Sequence, residues 1–300
     1  MRIGFGLPVS GTWATPGPLG RIAAAAEHNG YDSLWSFQRL LVGADQQLEP
    51  VYRGVLDPLV ALGYAAARTG TIRLGVAVVN LPFVSPAHLA KQAATLDVLS
   101  GGRFDLGLGT GWSEAEFAAT GAQGDRRAAR TREYVAALRT LWRDEVSEFD
   151  GEFYQVPPSR MAPRPVQPGG VPILLGGSVP AALRRAGEIA DGWVSRSAHD
   201  LSTIGQEIEL VRAGAEKAGR DPDTVRIVCR GVLNRPERDL LNGSWEKIRE
   251  DVAWLGTQGV TEIFYDLNWD PRIAGPDVDP AEAEERAMDV LHNLTPRGLS

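Results

Sequence analysis

The sequence is poor in the residues on which several protein classes depend. Its 300 residues include one cysteine, Cys229, which excludes an internal disulfide and is typical of a reducing compartment. No apolar run is long enough to cross a membrane, and the first residues lack the pattern of a signal peptide. The net charge is -7 and no cluster of lysine and arginine occurs, which argues against nucleic acid or a membrane surface as a partner. We therefore predict a cytoplasmic protein that acts on a small-molecule substrate.

The usual signatures of metal, serine and nicotinamide sites are also missing. The four histidines show no metal-ligand spacing such as H-E-x-x-H, so we expect no metal. No G-x-S-x-G elbow of a serine hydrolase is present. The run GLGTGW (107–112) lacks the last glycine of G-x-G-x-x-G and follows the fourth predicted strand rather than the first. A resident nicotinamide cofactor is therefore not supported.

What the sequence does contain is a regular alternation of strand-like and helix-like segments. We predict eight strands, at 2–8, 32–37, 72–80, 103–109, 172–177, 192–196, 225–231 and 262–267. We predict helices between and after them, at 17–29, 57–69, 86–99, 125–142, 180–190, 202–218, 244–258 and 280–294. Eight such units favour a (β/α)8 TIM barrel, taken as a single domain over 1–300, with a doubly wound open sheet as the alternative.

One segment interrupts this alternation. Residues 149–172 contain several prolines and show no helical period. We predict an extended insertion around residues 145–171 that packs over the surface of the barrel.

The stretch LSGGRFDLGLGTGW (99–112) places five glycines in fourteen residues. Gly101 and Gly102 follow a predicted helix, where a left-handed cap and a tight turn account for them. Gly107 and Gly109 lie within a strand and Gly111 opens the next loop, although an interior glycine weakens a strand unless something needs the space. Two explanations stay open: a ligand passes close to this backbone, or the glycines relieve crowding inside the barrel.

A second glycine-rich site, ILLGGSVP (173–180), ends one strand and begins a helix. Gly176, Gly177 and Ser178 would offer free backbone N–H groups beside the positive end of that helix, which suits a phosphate. His88 and His199 fall near the same face of the predicted barrel, so both are candidates for the site. Aromatic residues concentrate near strand ends and suit a mouth that binds a large flat ring: Trp13, Trp35, Trp112 and Trp269.

Several stretches together resemble the luciferase-like monooxygenase superfamily. They are GYDSLW (30–35), RLGVAVVNLPFVSPAHLAKQAATLDVLSGGRFDLGLGTGW (73–112), FDGEFY (149–154) and PILLGGSVPAALRRAGEIADGW (172–193). The resemblance covers residues 1–200 strongly and the last hundred in general layout. It implies a (β/α)8 barrel with an insertion that binds FMN or the deazaflavin coenzyme F420 at its C-terminal mouth, and it suggests a homodimer.

The resemblance also implies roles for individual residues. In deazaflavin members a non-proline cis peptide at the end of the third strand contacts the middle ring, and the matching bond here is Ala77–Val78. The family's phosphate and ring contacts correspond to Gly109, Thr110, Gly111, Gly176, Gly177 and Ser178. The chain departs from its relatives at Gln38–Arg39, where many have Asp-His or Asp-Arg. It also departs at Trp112, which replaces the acid of the sugar-phosphate dehydrogenase branch.

We predict an oxidoreductase that moves a hydride between coenzyme F420 and a small organic substrate. Trp13, His88 and Trp112 would line the substrate pocket, while Arg39 and His199 are candidates for polarising the substrate or delivering a proton. Two alternatives stay open: an FMN-dependent monooxygenase, and a non-catalytic flavin-binding protein. A separate flavin or F420 reductase is the partner protein that these readings imply.

Overall fold

A computed structural model, which describes residues 1–47, 49–235 and 237–296, contains a closed barrel of eight parallel strands. The barrel strands are β1 (Arg2–Gly6), β2 (Ser33–Ser36), β3 (Arg73–Asn80), β4 (Phe104–Gly109), β7 (Ile173–Gly176), β8 (Gly192–Val194), β9 (Arg226–Val232) and β10 (Glu262–Asp266). They follow one another around the barrel in chain order, and β10 pairs with β1 to close it. The predicted (β/α)8 TIM barrel is confirmed, and the open-sheet alternative is wrong.

In the described part of the chain, α-helices surround this barrel. They are α1 (Pro16–His28), α2 (Pro58–Ala66), α3 (Pro86–Ser100), α4 (Glu114–Thr120), α5 (Arg127–Arg143), α6 (Pro180–Ile189), α7 (Ile204–Lys217), α8 (Trp245–Thr257), α9 (Pro271–Ala274) and α10 (Pro280–Asn293). The helices α2, α3 and α10 each begin at a proline, and the residue before it is an N-cap. The side chains of these N-cap residues, Asp57, Ser85 and Asp279, accept hydrogen bonds from backbone N–H groups in the first turn of the helix. No helix within the described ranges is long and apolar enough to span a membrane.

The predicted insertion forms an antiparallel hairpin between α5 and β7. Its strands are β5 (Ser147–Asp150) and β6 (Gln155–Ser159), and the chain then runs to β7 without a helix. The carboxylate of Asp97 in α3 accepts the backbone N–H groups of Val166 and Gln167 at 2.7 and 3.1 Å. These bonds fix the extended part of the insertion against the barrel helices.

Buried ion pairs close the N-terminal end of the barrel. Asp105 accepts hydrogen bonds from Arg73 and Arg226, and Arg226 also donates to Glu262 at 3.0 Å. Asp105 and Glu262 are fully buried. Burial alone would raise the pKa of Asp105, but the hydrogen bonds and charges of Arg73 and Arg226 outweigh it and hold that pKa below its usual range.

Apolar side chains fill the middle of the barrel above these ion pairs. Trp35 stacks on Phe264 with ring centroids 5.1 Å apart, and Val194 and Val228 pack in the same cluster. Gly75 leaves the space for the indole, because a Cβ there would lie 2.5 Å from the Trp35 ring. Side chains therefore fill the interior of the barrel except near the C-terminal ends of the strands.

Candidate active site

A cavity of about 600 Å³ opens at the C-terminal ends of the barrel strands. All eight residues that the sequence assigned to a cofactor line it: Ala77, Val78, Gly109, Thr110, Gly111, Gly176, Gly177 and Ser178. Arg39 and Trp112 line it as well. The fold thus brings together glycine loops that are more than sixty residues apart in the chain.

The strand glycines make room for the neighbouring strand. The peptide Ala77–Val78 is cis, and the pairing of β3 with β4 shifts register between Val76 and Val79. A Cβ at Gly107 would overlap the carbonyl oxygen of Val76, and one at Gly109 would lie 2.5 Å from Cγ2 of Val78. Of the two explanations left open by the sequence, crowding inside the barrel accounts for both glycines.

Arg39 lies in the loop after β2 and forms one wall of the cavity. Its guanidinium donates to Glu116 of α4 at 2.8 Å, and both side chains are almost fully buried. The same guanidinium lies 4.4 Å from the ring of Trp112 and 4.7 Å from that of Tyr52. Its Nε has no hydrogen-bond partner among the described residues. Arg39 therefore brings to the cavity wall a guanidinium whose positive charge is already compensated by Glu116.

Arg230 forms another wall, and sequence reasoning missed it. It lies in β9, donates through Nη1 to the carbonyl oxygen of Ala77 at 3.1 Å, and donates through Nε to Asp266 at 2.6 Å. Its guanidinium lies 4.4 Å from the ring of Trp269 and 4.9 Å from that of Phe37. Arg230 thus holds the Ala77–Val78 peptide in place and supports a flat aromatic surface beside it.

The cavity is strongly cationic although the protein is acidic overall. Five arginines and no carboxylate line it within the described chain; they are Arg39, Arg127, Arg185, Arg196 and Arg230. Arg39 and Arg230 have carboxylate partners, whereas the described residues provide none for the other three. Arg185 is only 8% exposed, and burial with the nearby Arg132 outweighs the charge of Glu188, which pairs with Arg132, and lowers the pKa of Arg185. A buried cation without an ion pair of its own favours an anionic ligand.

Residues 4–258 match the family described as luciferase-like monooxygenase. The chain belongs to this family. It is 35% identical over 219 residues to an uncharacterised protein of Mycobacterium tuberculosis, covering 72% of this chain and 71% of the relative. It is also 35% identical over 229 residues to an F420-dependent glucose-6-phosphate dehydrogenase of Nakamurella multipartita, covering 74% of this chain and 64% of that enzyme.

Solved structures share the fold of this luciferase-like chain. The monooxygenase RslO1 from Streptomyces bottropensis superimposes with a TM-score of 0.80 at 23% identity, covering 99% of this chain and 100% of the other. Identity at this level shows the fold alone. Together with the family match, it identifies the protein as a luciferase-like oxidoreductase built on a (β/α)8 barrel.

The luciferase-like barrel keeps two candidate substrate residues away from the cavity. Trp13 is 1% exposed and belongs to the apolar core, beside Gly11 in the loop after β1. His88 is exposed in the first turn of α3 and lines a separate small cleft. Both sit near the C-terminal ends of strands as predicted, but neither side chain lines the main cavity.

His199 also lies outside the main cavity of the luciferase-like barrel. Its Nε2 contacts Oε2 of Glu207 in α7, and its ring packs edge-on against the ring of Trp193, with the ring centroids 5.9 Å apart. Burial, with the positive charge of Arg196, lowers the pKa of His199 to about 4, and burial raises the pKa of Glu207. His199 is therefore a neutral, packed residue at neutral pH.

Proposed function

We propose that this luciferase-like protein is a coenzyme F420-dependent oxidoreductase that transfers a hydride between the coenzyme and a small organic substrate. The observation that carries the proposal is the cationic cavity at the barrel mouth, with its aromatic wall and its arginines that lack counter-ions. The relative named as an F420-dependent dehydrogenase favours the deazaflavin over FMN. When bound, the coenzyme would supply the hydride chemistry, and the protein would supply binding and orientation.

The residues present fit an anionic coenzyme with a flat ring. Arg185 lines the cavity together with Gly177 and Ser178, which lie just before α6. Backbone N–H groups at this helix end and the nearby cations would bind a phosphate-bearing tail. Val78, beside the wall supported by Arg230, would contact the ring. The two parts of the site lie in one continuous cavity.

Arg39 is the residue that we assign to the substrate. Its guanidinium, which lines the cavity, would donate a hydrogen bond to a substrate oxygen and stabilise negative charge that develops there during hydride transfer. Because Glu116 already compensates the guanidinium, this donor suits a neutral carbonyl better than a carboxylate. We leave His199 out of the mechanism, since its ring packs against Glu207 and Trp193.

The first experiment is a titration of the protein with oxidised coenzyme F420 and, separately, with FMN. We expect binding of the deazaflavin at micromolar concentration or below, and weaker binding of FMN. Arg185→Gln should weaken deazaflavin binding about tenfold, which corresponds to one charge-assisted hydrogen bond. Arg160→Gln, an exposed change of equal charge in the insertion, is the matched control and should leave the affinity unchanged.

The outcomes separate the alternatives. A preference for FMN would contradict the proposal and favour a monooxygenase supplied by a separate reductase. Binding of neither coenzyme would contradict both readings, and an F420 complex that reduces none of a panel of carbonyl and activated alkene compounds would favour a binding protein. Arg39→Ala should lower turnover far more than coenzyme affinity; equal losses would exclude the role assigned to its guanidinium.

A further inference from the structure

The proposed reaction needs a proton, and few groups in the main cavity can supply one. Hydride addition to a carbonyl leaves negative charge on its oxygen, which becomes a hydroxyl group only when a proton arrives. Within the described chain, the lining of this cavity contains no histidine, carboxylic acid, lysine or cysteine. Its arginines do not give up their protons in proteins. The proton must therefore come from water or from a hydroxyl group of the lining.

Tyr52 carries the phenol of that lining. The other hydroxyl groups on the described part of the cavity wall belong to Thr110, Ser178, Ser195 and Ser197. Aliphatic hydroxyl groups of this kind lose a proton much less readily than a phenol does. Tyrosine is one of the side chains that act as general acids in enzymes. By its chemistry, Tyr52 is therefore the best proton donor on the wall.

The backbone around Tyr52 is fixed to the loop after β1. Tyr52 ends a short 3-10 turn between β2 and α2. The hydroxyl of Ser10 donates to the carbonyl oxygen of Val51, and the N–H of Leu56 donates to the carbonyl oxygen of Val9 at 2.8 Å. These bonds on both sides of Tyr52 hold it at a defined place in the cavity wall.

The Tyr52 ring is adjacent to the group that we assign to the substrate oxygen. The guanidinium of Arg39 lies 4.7 Å from the ring centroid, and Trp112 and Trp269 pack edge-on at centroid distances of 6.0 and 5.9 Å. The Tyr52 hydroxyl has no hydrogen-bond partner among the described residues, and it is not buried as the hydroxyl of Tyr265 is. A ligand bound to Arg39 therefore lies beside a phenol that it can reach.

We propose that Tyr52 is the proton donor of this reaction, an assignment that rests on the proposed function. Arg39 holds the carbonyl oxygen, the carbonyl carbon accepts the hydride supplied by the reduced coenzyme, and the π-electron pair moves to the oxygen. The O–H bond of Tyr52 then breaks, and its proton forms the O–H bond of the alcohol product. The phenolate regains a proton from water. The carbonyl is thereby reduced, the coenzyme is oxidised, and one proton is taken up from the solvent.

The test compares Tyr52→Phe with the parent protein, because phenylalanine keeps the ring that packs on Arg39 and removes only the hydroxyl. Tyr64→Phe is the matched control. Tyr64 lies in α2, outside the cavity, and its hydroxyl donates to the carbonyl oxygen of Pro16 at 3.0 Å. Each protein is loaded with reduced coenzyme F420 and mixed with benzaldehyde, cyclohexanone or butanone. Oxidation of the coenzyme is followed by its absorbance.

A second measurement detects contact with Tyr52 without turnover. Oxidised coenzyme has no hydride to give, so its complex with the protein and a carbonyl compound does not react. In protein labelled with 3-fluorotyrosine, the 19F signal of Tyr52 is the one that Tyr52→Phe lacks. The same samples give the affinity for the coenzyme.

We expect Tyr52→Phe to lower kcat about 100-fold, the size of effect that a general acid contributes, and to leave coenzyme affinity unchanged. Tyr64→Phe should keep the kcat of the parent, and the carbonyl compound should shift the 19F signal of Tyr52. An unchanged kcat in Tyr52→Phe, or an unshifted signal, would overturn the assignment and leave the proposed function standing. A parent protein that binds the coenzyme but reduces none of the three compounds would contradict the proposed function, and the assignment with it.

Discussion

Replacing Glu116 by glutamine tests whether the charge of Arg39 is balanced inside the barrel mouth. The two side chains are 4% and 1% exposed and lie 2.8 Å apart, and Oε1 of Glu116 also accepts the backbone N–H of Leu40 at 2.7 Å. Glutamine has nearly the same shape and keeps an oxygen for Leu40. The amide nitrogen then faces Nη1 of Arg39, so the substitution removes both the negative charge and the acceptor of that hydrogen bond.

The expected loss of stability follows from the burial of the pair. Breaking a buried ion pair by removing one partner costs about 3–5 kcal/mol, because it leaves a charge in a medium that solvates it poorly. The retained bond to Leu40 and the two aromatic rings around Arg39 offset part of this loss. We expect Glu116→Gln to lower the free energy of unfolding by about 3 kcal/mol.

Urea denaturation followed by tryptophan fluorescence measures this change. Glu114→Gln, an exposed change in the same helix, is the control and should alter stability by less than about 0.5 kcal/mol. The double variant Arg39→Met with Glu116→Leu should be more stable than Glu116→Gln, because it leaves no unpaired charge. Phosphate should stabilise Glu116→Gln more than the parent, since the substitution leaves Arg39 without its counter-ion. A loss no larger than that of Glu114→Gln would refute the reasoning.

Three further predictions concern stability and reactivity. Partial burial would raise the pKa of Glu27, but three backbone N–H donors outweigh it and lower the pKa to about 2. The ionised carboxylate therefore contributes to the free energy of unfolding above about pH 4.5, and this contribution is lost as the pH falls through 2. Glu27→Gln should therefore make the free energy of unfolding less dependent on pH by about 1–2 kcal/mol, allowing for solvent screening. Urea denaturation at pH values from 6 to 2.5 measures this change. Gly107→Ala should cost about 3 kcal/mol or more in the same assay because its Cβ overlaps the carbonyl oxygen of Val76, whereas Gly63→Ala in open space on α2 should be neutral or stabilising; equal effects would contradict the packing argument. Burial raises the pKa of Cys229 to about 12, so a thiol reagent should modify it only after unfolding, and rapid labelling of the native protein would disprove its burial.

The fold could be predicted because its signals are local and repeated. The barrel strands are largely buried on both faces and are centred on short apolar runs such as those of β4 and β10. Prolines and glycines mark the ends of helices such as α3. The two short helices α4 and α9 were not predicted. Seven and four residues are too few for a clear helical period.

The sequence predicts which residues lie at the C-terminal ends of the strands, and only this part of the site could be predicted. Position in the chain shows which end of the barrel a residue occupies, and this was enough for the glycine loops. It does not show which way a loop side chain turns, so His199 was expected in the cavity although it faces α7. Arg230 had a usable signal: it alternates with the buried Cys229 on one strand, so one of the two faces the barrel interior.

The N-terminal end of the barrel is closed by the ion pairs among Asp105, Arg73, Arg226 and Glu262. The stacked rings of Trp35 and Phe264 lie above this layer. Nothing can pass through the barrel from below, so every ligand of the main cavity uses one entrance. Two ligands that share a single entrance bind in a fixed order, because the ligand that lies deeper must bind first and dissociate last. A coenzyme ring on Val78 of β3 would lie deeper than a substrate on Arg39, which follows the end of β2, so the proposed reaction should bind the coenzyme first and saturating substrate should slow its exchange.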